Sequence, residues 1–282
     1  MNVDPSTELE RSRSNARARQ TWETQAVGSQ RATAPKGSRA YFEQIRDYRY
    51  GYETPFIPTF FNFADMRGKR VLEIGVGNGV DAVEMLRCGA VYTGIDITRN
   101  HLDLARRNIE LVQDQNLTGR VENIVEGDLL EVSLPGNYDV VYAFGVLHHI
   151  AHEAEHLRRI YELLRPGGEL KVALYSRYSF FNLWLVLTWL LKNRMRNTLE
   201  DWRSHLAECS PLGTPVVIKI RSKAEIQSLM ARCGFEVVRY GKKGFVQAYL
   251  PGIGRFLAPD GHILKACAGV LGWYHCFICR RA

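Results

Sequence analysis

Residues 70–79 read RVLEIGVGNG, a run of strand-forming apolar residues that ends in three glycines, each one residue apart. An unbroken apolar run of this length fits a strand buried on both faces, as in a parallel sheet. The glycines then turn the chain sharply toward a helix. In open α/β sheets, ligands lie beyond the carboxyl ends of the strands. Backbone N–H groups left bare by glycine can meet a ligand's carboxylate or hydroxyl there. Gly75, Gly77 and Gly79 are therefore candidate ligand contacts, and Glu73 sits in the strand just before them.

The residues that follow alternate between short β-branched runs and amphipathic helices. Strands are predicted at Arg70–Ile74, Val91–Asp96, Val121–Val125, Tyr138–Ala143 and Glu169–Tyr175. Between them, Leu102, Ala105, Ile109 and Val112 share one helical face behind Thr98, a candidate N-cap. Leu157, Ile160, Tyr161 and Leu164 share another, and Pro166-Gly167-Gly168 ends it. This alternation predicts an α/β fold, doubly wound around a mostly parallel sheet with right-handed crossovers.

Outside this core the pattern changes. Residues 1–36 are rich in Arg, Ser, Thr, Ala and Gln and lack periodicity, so they are expected to be largely flexible, with Trp22 as an aromatic that docks on the body. The rest, 37–282, is expected to form one domain. Helical spacing of Tyr41, Ile45, Tyr48 and Tyr52, then an apolar stretch over Pro55–Met66, predicts helices within 38–66. The insertion 176–222 follows the fifth strand and begins with the uncharged run YSFFNLWLVLTWLL. Together, 38–66 and 176–222 are expected to cap the site. As a helix, Tyr178–Leu191 is about 21 Å long, too short for a bilayer core of ~30 Å. It reads as a lid over the acceptor, a packing helix, or a helix lying at a membrane surface, since Lys192, Arg194 and Arg196 follow it. A helix near Lys223–Cys233 and strands at Phe235–Tyr240 and Trp273–Arg280 close the chain.

The glycine spacing is G-x-G-x-G, and Val80 stands where a dinucleotide fingerprint puts its third glycine. Asp96, followed by Ile97, ends the second strand, where a carboxylate can accept two ribose hydroxyls. Asp128 ends the third, with Leu129 beside it, and Phe144 ends the fourth. In order and spacing, EIGVGNG, GIDIT, EGDLL, YDVVYAFGVLHHI and LRPGGEL resemble the class I S-adenosylmethionine-dependent methyltransferases of small-molecule type. The resemblance is strong over about Arg70–Tyr175. It implies a Rossmann-like sheet of seven strands with the last antiparallel. It also implies S-adenosyl-L-methionine as cofactor, with Gly75, Gly77 and Gly79 at its methionine, Asp96 at its ribose, Asp128 and Leu129 at its adenine, and Phe144 beside the methyl donor. Some members cover the cofactor with an N-terminal helix. Tyr41 and Arg49 lie on such a helix here, and Arg49 is a candidate partner for the methionine carboxylate.

Methyl transfer needs alignment and dryness, and a base only when the acceptor carries a proton. His148 and His149, after the fourth strand, are candidate bases, as is His205 in the insertion. No dedicated metal-ligand spacing is present, and no metal is expected. Six cysteines lack a framework, and Cys276 and Cys279 fall on opposite faces of one predicted strand. Reduced thiols and the absence of a signal-like segment predict a cytoplasmic enzyme. The formal charge of +7 leaves RNA or protein acceptors as alternatives, and the insertion after the fifth strand leaves a lipid-like quinone acceptor of a peripheral-membrane enzyme as another. The leading expectation is a small, apolar or aromatic biosynthetic acceptor methylated at O, N or C, without nucleic acid.

Overall fold

In a computed structural model of the chain, residues 5–24, 26, 28–113, 117–259 and 261–282 are described. The first strand, β1 (Arg70–Ile74), is buried from Val71 onward because strands cover both its edges and helices both its faces. Its companions are β2 (Val91–Asp96), β3 (Arg120–Glu126), β4 (Tyr138–Phe144), β5 (Leu164–Tyr175), β6 (Phe235–Lys243) and β7 (Tyr274–Arg281). They form one sheet in the order β3-β2-β1-β4-β5-β7-β6. β1 to β5 pair in parallel, and β7 runs antiparallel to both β5 and β6. The expected fold class is therefore the observed one. β3 lies at an edge and is largely exposed, which suits its charged sequence.

The helices are α1 (Pro5–Thr24), α2 (Arg39–Tyr48), α3 (Ile57–Phe60), α4 (Val80–Arg87), α5 (Arg99–Val112), α6 (Glu153–Leu163), α7 (Phe180–Thr188), α8 (Leu199–Glu208), α9 (Lys223–Arg232) and α10 (His262–Leu271). One apolar layer joins Phe61, Val71, Leu86, Tyr142 and Cys276. A second joins Leu72, Val141, Leu157, Phe277 and Cys279 on the other face. Cys276 and Cys279 thus lie on opposite sides of β7, as strand geometry demands.

Several boundaries differ from the sequence pattern. β5 starts at Leu164 because Leu164 pairs with Tyr138 ahead of a register shift. Pro55–Met66 is not one helix: α3 is short, and Asn62 takes a left-handed conformation (φ 54°) before a 3₁₀ turn at Phe63–Met66. Residues 5–24, read as unpatterned, form α1. Its hold on the body is polar, with only Ala18 and Thr21 buried in its described part, so an apolar stripe could not announce it. Residues 1–4, 25 and 27 of the expected flexible segment lie outside the described residues. α7 packs through Leu185 and Thr188 but exposes Leu183, Trp184 and Leu187. Among the described residues no helix is long and apolar enough to cross a membrane.

A buried lysine ties α3 to the sheet. Lys171 of β5 donates to the Phe61 carbonyl at 2.6 Å, with Glu169 at 3.8 Å. Burial lowers its pKa to about 8 from 10.5, against the pull of Glu169. Between those values the unfolded chain holds the proton more tightly, so this lysine makes folding stability rise with pH from about 8 to 10.5. Urea midpoints measured across that window should rise less in Lys171→Met than in the parent.

Candidate functional site

The carboxyl ends of β1, β2 and β3 are laced together where the glycine turn begins. Gly75 N–H donates to the Ile95 carbonyl at 2.8 Å, and Gly127 N–H to the Asp96 carbonyl at 2.9 Å. The three glycines are glycine for different reasons. A Cβ on Gly75 (φ +76°) would stand 2.1 Å from a Val146 methyl. On Gly79 (φ +75°), the start of α4, it would stand 2.8 Å from the Ala105 backbone of α5. On Gly77 (φ +55°) it would meet nothing within 4 Å. Gly75 and Gly79 answer to packing, while Gly77 faces open space that a side chain would fill. Such open space beside backbone N–H groups could admit part of a ligand.

Asp96 braces this turn. It accepts from Gly77 N–H at 3.1 Å and Thr98 N–H at 2.9 Å, with His101 Nδ1 at 3.4 Å. Glu73 is buried under the loop and takes the Tyr92 hydroxyl at 2.5 Å. Burial, then the nearby Asp81 carboxylate, push its carboxyl well above the ordinary range. It supports the floor of the loop. At the end of β3, Asp128 accepts from His156 Nε2 at 3.0 Å, Leu130 N–H at 2.8 Å and the Asn15 amide at 2.5 Å. Burial opposes its charge, but these donors outweigh it and hold the carboxyl well below its usual value. Leu129 is core.

Arg49 is paired differently from expectation. It makes a bidentate bond to Asp81, at 2.8 and 2.5 Å, and its guanidinium lies 4.9 Å above the Phe144 ring. Tyr50 and Tyr142 hydroxyls also donate to Asp81, at 2.5 and 2.8 Å. Burial raises the Asp81 carboxyl, but Arg49 and the phenols reverse that and keep it ionised. Asp81 went unnoticed in the sequence, although an acid in the first turn after a glycine loop was a usable signal. Tyr41 is buried and shares a 2.8 Å hydrogen bond with Ser29.

Beyond Phe144, the chain brings the two adjacent histidines into different roles. His148 is fully buried, its ring 3.6 Å from that of Tyr175. Burial, then His149, depress its pKa well below 6.5, so it is neutral. His149 donates from Nδ1 to the Val217 carbonyl at 2.8 Å, which fixes the ring and leaves Nε2 as the nitrogen open to other partners. Nε2 lies 3.6 Å from a Glu208 oxygen that accepts the Tyr175 hydroxyl at 2.8 Å. Burial and that carboxylate push the Tyr175 phenol well above its usual value, so it remains the donor. Trp22 of α1 meets the His149 ring edge-on at 5.8 Å. Ligand atoms of His148, His149 and Glu208 lie within 4.8 Å of one another, a donor set of the types a cation takes. His205 instead closes the turn after α8, on the Ser210 carbonyl at 2.9 Å. Glu208 and Tyr175 carried no sequence signal as site residues, because each reaches the site from a distant segment, whereas Trp22 docks on the body as its isolation suggested.

The contrast among the glycines predicts two kinds of failure. Gly77→Val should stay folded at a cost of about 1–2 kcal/mol from left-handed strain, yet lose S-adenosylhomocysteine binding by calorimetry. Gly75→Val should instead lose stability in thermal unfolding, since its side chain collides with Val146.

A methyltransferase-domain family model matches residues 42–240. The ubiquinone biosynthesis O-methyltransferase of Neisseria meningitidis serogroup C is 31% identical over 150 residues, covering 51% of this chain and 60% of that protein. The mitochondrial enzyme of the same description from Schizosaccharomyces pombe is 29% identical over 163 residues, covering 58% and 53%. The chain thus spans little more than half the length of these curated relatives. Among solved structures, magnesium protoporphyrin IX methyltransferase from Synechocystis PCC 6803 with bound SAH superposes with a TM-score of 0.56 at 12% identity, over 98% of this chain and 100% of that one. A Mesorhizobium loti S-adenosylmethionine-dependent methyltransferase gives 0.52 at 17%, over 80% and 97%. Strand order, glycine turn and family match converge: the chain belongs to the class I S-adenosylmethionine-dependent methyltransferase family.

Proposed function

We propose that the protein transfers the methyl group of S-adenosylmethionine to a phenolic hydroxyl of a small, quinone-type precursor. The observation that carries this reading is His149, held by its Nδ1 on the Val217 carbonyl with Nε2 3.6 Å from Glu208, just past the carboxyl end of β4. The printed descriptions of the relatives as ubiquinone biosynthesis O-methyltransferases support the same acceptor chemistry. S-adenosylmethionine, when bound, supplies a methyl on a positively charged sulfur that leaves as a neutral thioether.

The remaining tasks fall to this chain's residues. Gly77 leaves room for the methionine end, Asp96 answers the ribose hydroxyls, and Asp128 stands at the adenine end with Leu129 packed behind it in the core. Arg49 reaches the methionine carboxylate only by sharing itself with Asp81. The aromatic walls of Phe144, Tyr175 and Trp22 exclude water and favour a flat acceptor. His149 Nε2 would take the proton of the acceptor hydroxyl. Glu208, 3.6 Å away, stands opposite the imidazolium that forms. The segments 38–66 and 176–222 act as the cap, the second by delivering Glu208 on α8.

Incubation with methyl-labelled cofactor and a panel of phenols, hydroquinones, amines and thiols should label the phenolic acceptors. His149→Ala should lower kcat by roughly 10²–10⁴-fold while S-adenosylhomocysteine binding is retained. Full turnover by His149→Ala, or labelling confined to amines, would overturn the assignment.

A further inference from the structure

Three donor side chains converge beyond β4 from separate parts of the chain. His148 and His149 come from the 3₁₀ turn after β4, and Glu208 from the end of α8. One ligand atom from each lies within 4.8 Å of the others. A tetrahedral site with bonds of ~2.0–2.3 Å sets its ligand atoms roughly 3.4 Å apart. His149 Nε2 and the Glu208 carboxylate, at 3.6 Å, already stand near that spacing. The sequence predicted no metal because Glu208 belongs to the insertion, and no local spacing links it to the histidines.

Each of the three is prepared for a cation. His148 is fully buried, and neither of its ring nitrogens makes a hydrogen bond of ordinary geometry; only the Ala173 backbone pulls at the ring. A buried polar group in that position calls for a partner, and an ion is one that fits. Burial, then His149, keep the His148 ring neutral, the form that binds metal. His149 rests its Nδ1 on the Val217 carbonyl, and Glu208 accepts the Tyr175 hydroxyl. Outer contacts of this kind orient metal ligands. The side chains of His149 and Glu208 are each 8% exposed, so little water competes for them. Two imidazoles and one carboxylate suit zinc, and they leave its fourth position open. Magnesium instead favours oxygen ligands in an octahedron.

We propose that His148, His149 and Glu208 form a binding site for a zinc-class transition-metal ion, and that its occupation stops methyl transfer. The second half rests on the reading of His149 as the base. A nitrogen that gives its lone pair to a metal cannot take the acceptor's proton.

The test is calorimetry on the full chain, stripped with EDTA and titrated with zinc sulfate or magnesium chloride. Zinc should bind at one site per chain, and magnesium should give no binding heat. Glu208→Gln, folded by thermal unfolding, should weaken zinc by about tenfold or more, while Cys209→Ser should bind it as the parent does. Unchanged zinc affinity in a folded Glu208→Gln would overturn the proposal, as would its loss in Cys209→Ser. If Glu208→Gln does not fold, the cobalt(II) spectrum of the parent decides. The visible absorption of a four-coordinate ion without a thiolate charge-transfer band supports the site, and a thiolate band or no visible change overturns it. Saturating zinc should slow methyl transfer to phenolic acceptors by roughly 10²-fold or more, and EDTA should restore it. Zinc bound at these residues with methyl transfer undiminished would overturn the inhibition and remove His149 as the base. Zinc bound there in a protein that methylates no phenol would remove the proposed reaction and keep the site.

Discussion

A buried carboxylate, Asp81, organises the site more than any other group. It stands in the first turn of α4, directly after the glycine loop, and is 5% exposed. A charge so placed is tolerable only when paired and hydrogen-bonded, and removing one partner of such a pair costs about 3–5 kcal/mol. Arg49, Tyr50 and Tyr142 satisfy it from the turn after α2 and from β4. Three elements distant in sequence are thereby fixed to one point under the loop. Arg49 is held over Phe144 as a consequence, and Phe56 follows a few residues later against the same ring.

A second set of polar contacts roofs the site. Asn15, Arg19 and Glu23 of α1 reach Asp128, the Ile97 carbonyl and the first N–H groups of α5. The contacts run from the end of β3 past the end of β2, and Trp22 adds the side that faces His149. The helix depends on its contacts with the body, since little of its own surface is apolar. Such a roof gives an aromatic wall without committing α1 to the hydrophobic core.

The parallel strands and crossover helices were legible because each repeats a local pattern: apolar runs, period-3.6 stripes, glycine and proline stops. The resemblance from Arg70 to Tyr175 likewise rested on local motifs. Legibility failed where a local rule was overruled. Asn62 broke an apolar stretch that periodicity read as one helix, and α1 formed where no stripe existed. The partners of candidate residues were also hidden. Arg49 was expected to be a partner for the methionine carboxylate, but its bond to Asp81 joins residues 32 apart, and periodicity does not encode such a pairing.

By itself the sequence determined the fold class, the cofactor class and the ends of strands where chemistry would gather, because these follow from short-range spacing and backbone sterics. The tertiary structure alone decided what each side chain does there. It turned Glu73 into a floor, made His148 a packing piece, and oriented His149 by tying its Nδ1 to Val217, 68 residues away. It also brought Glu208 from the insertion to face His149. Hydrogen bonds and buried charges between remote segments are set by how the layers pack, and no local pattern of residues records that distance.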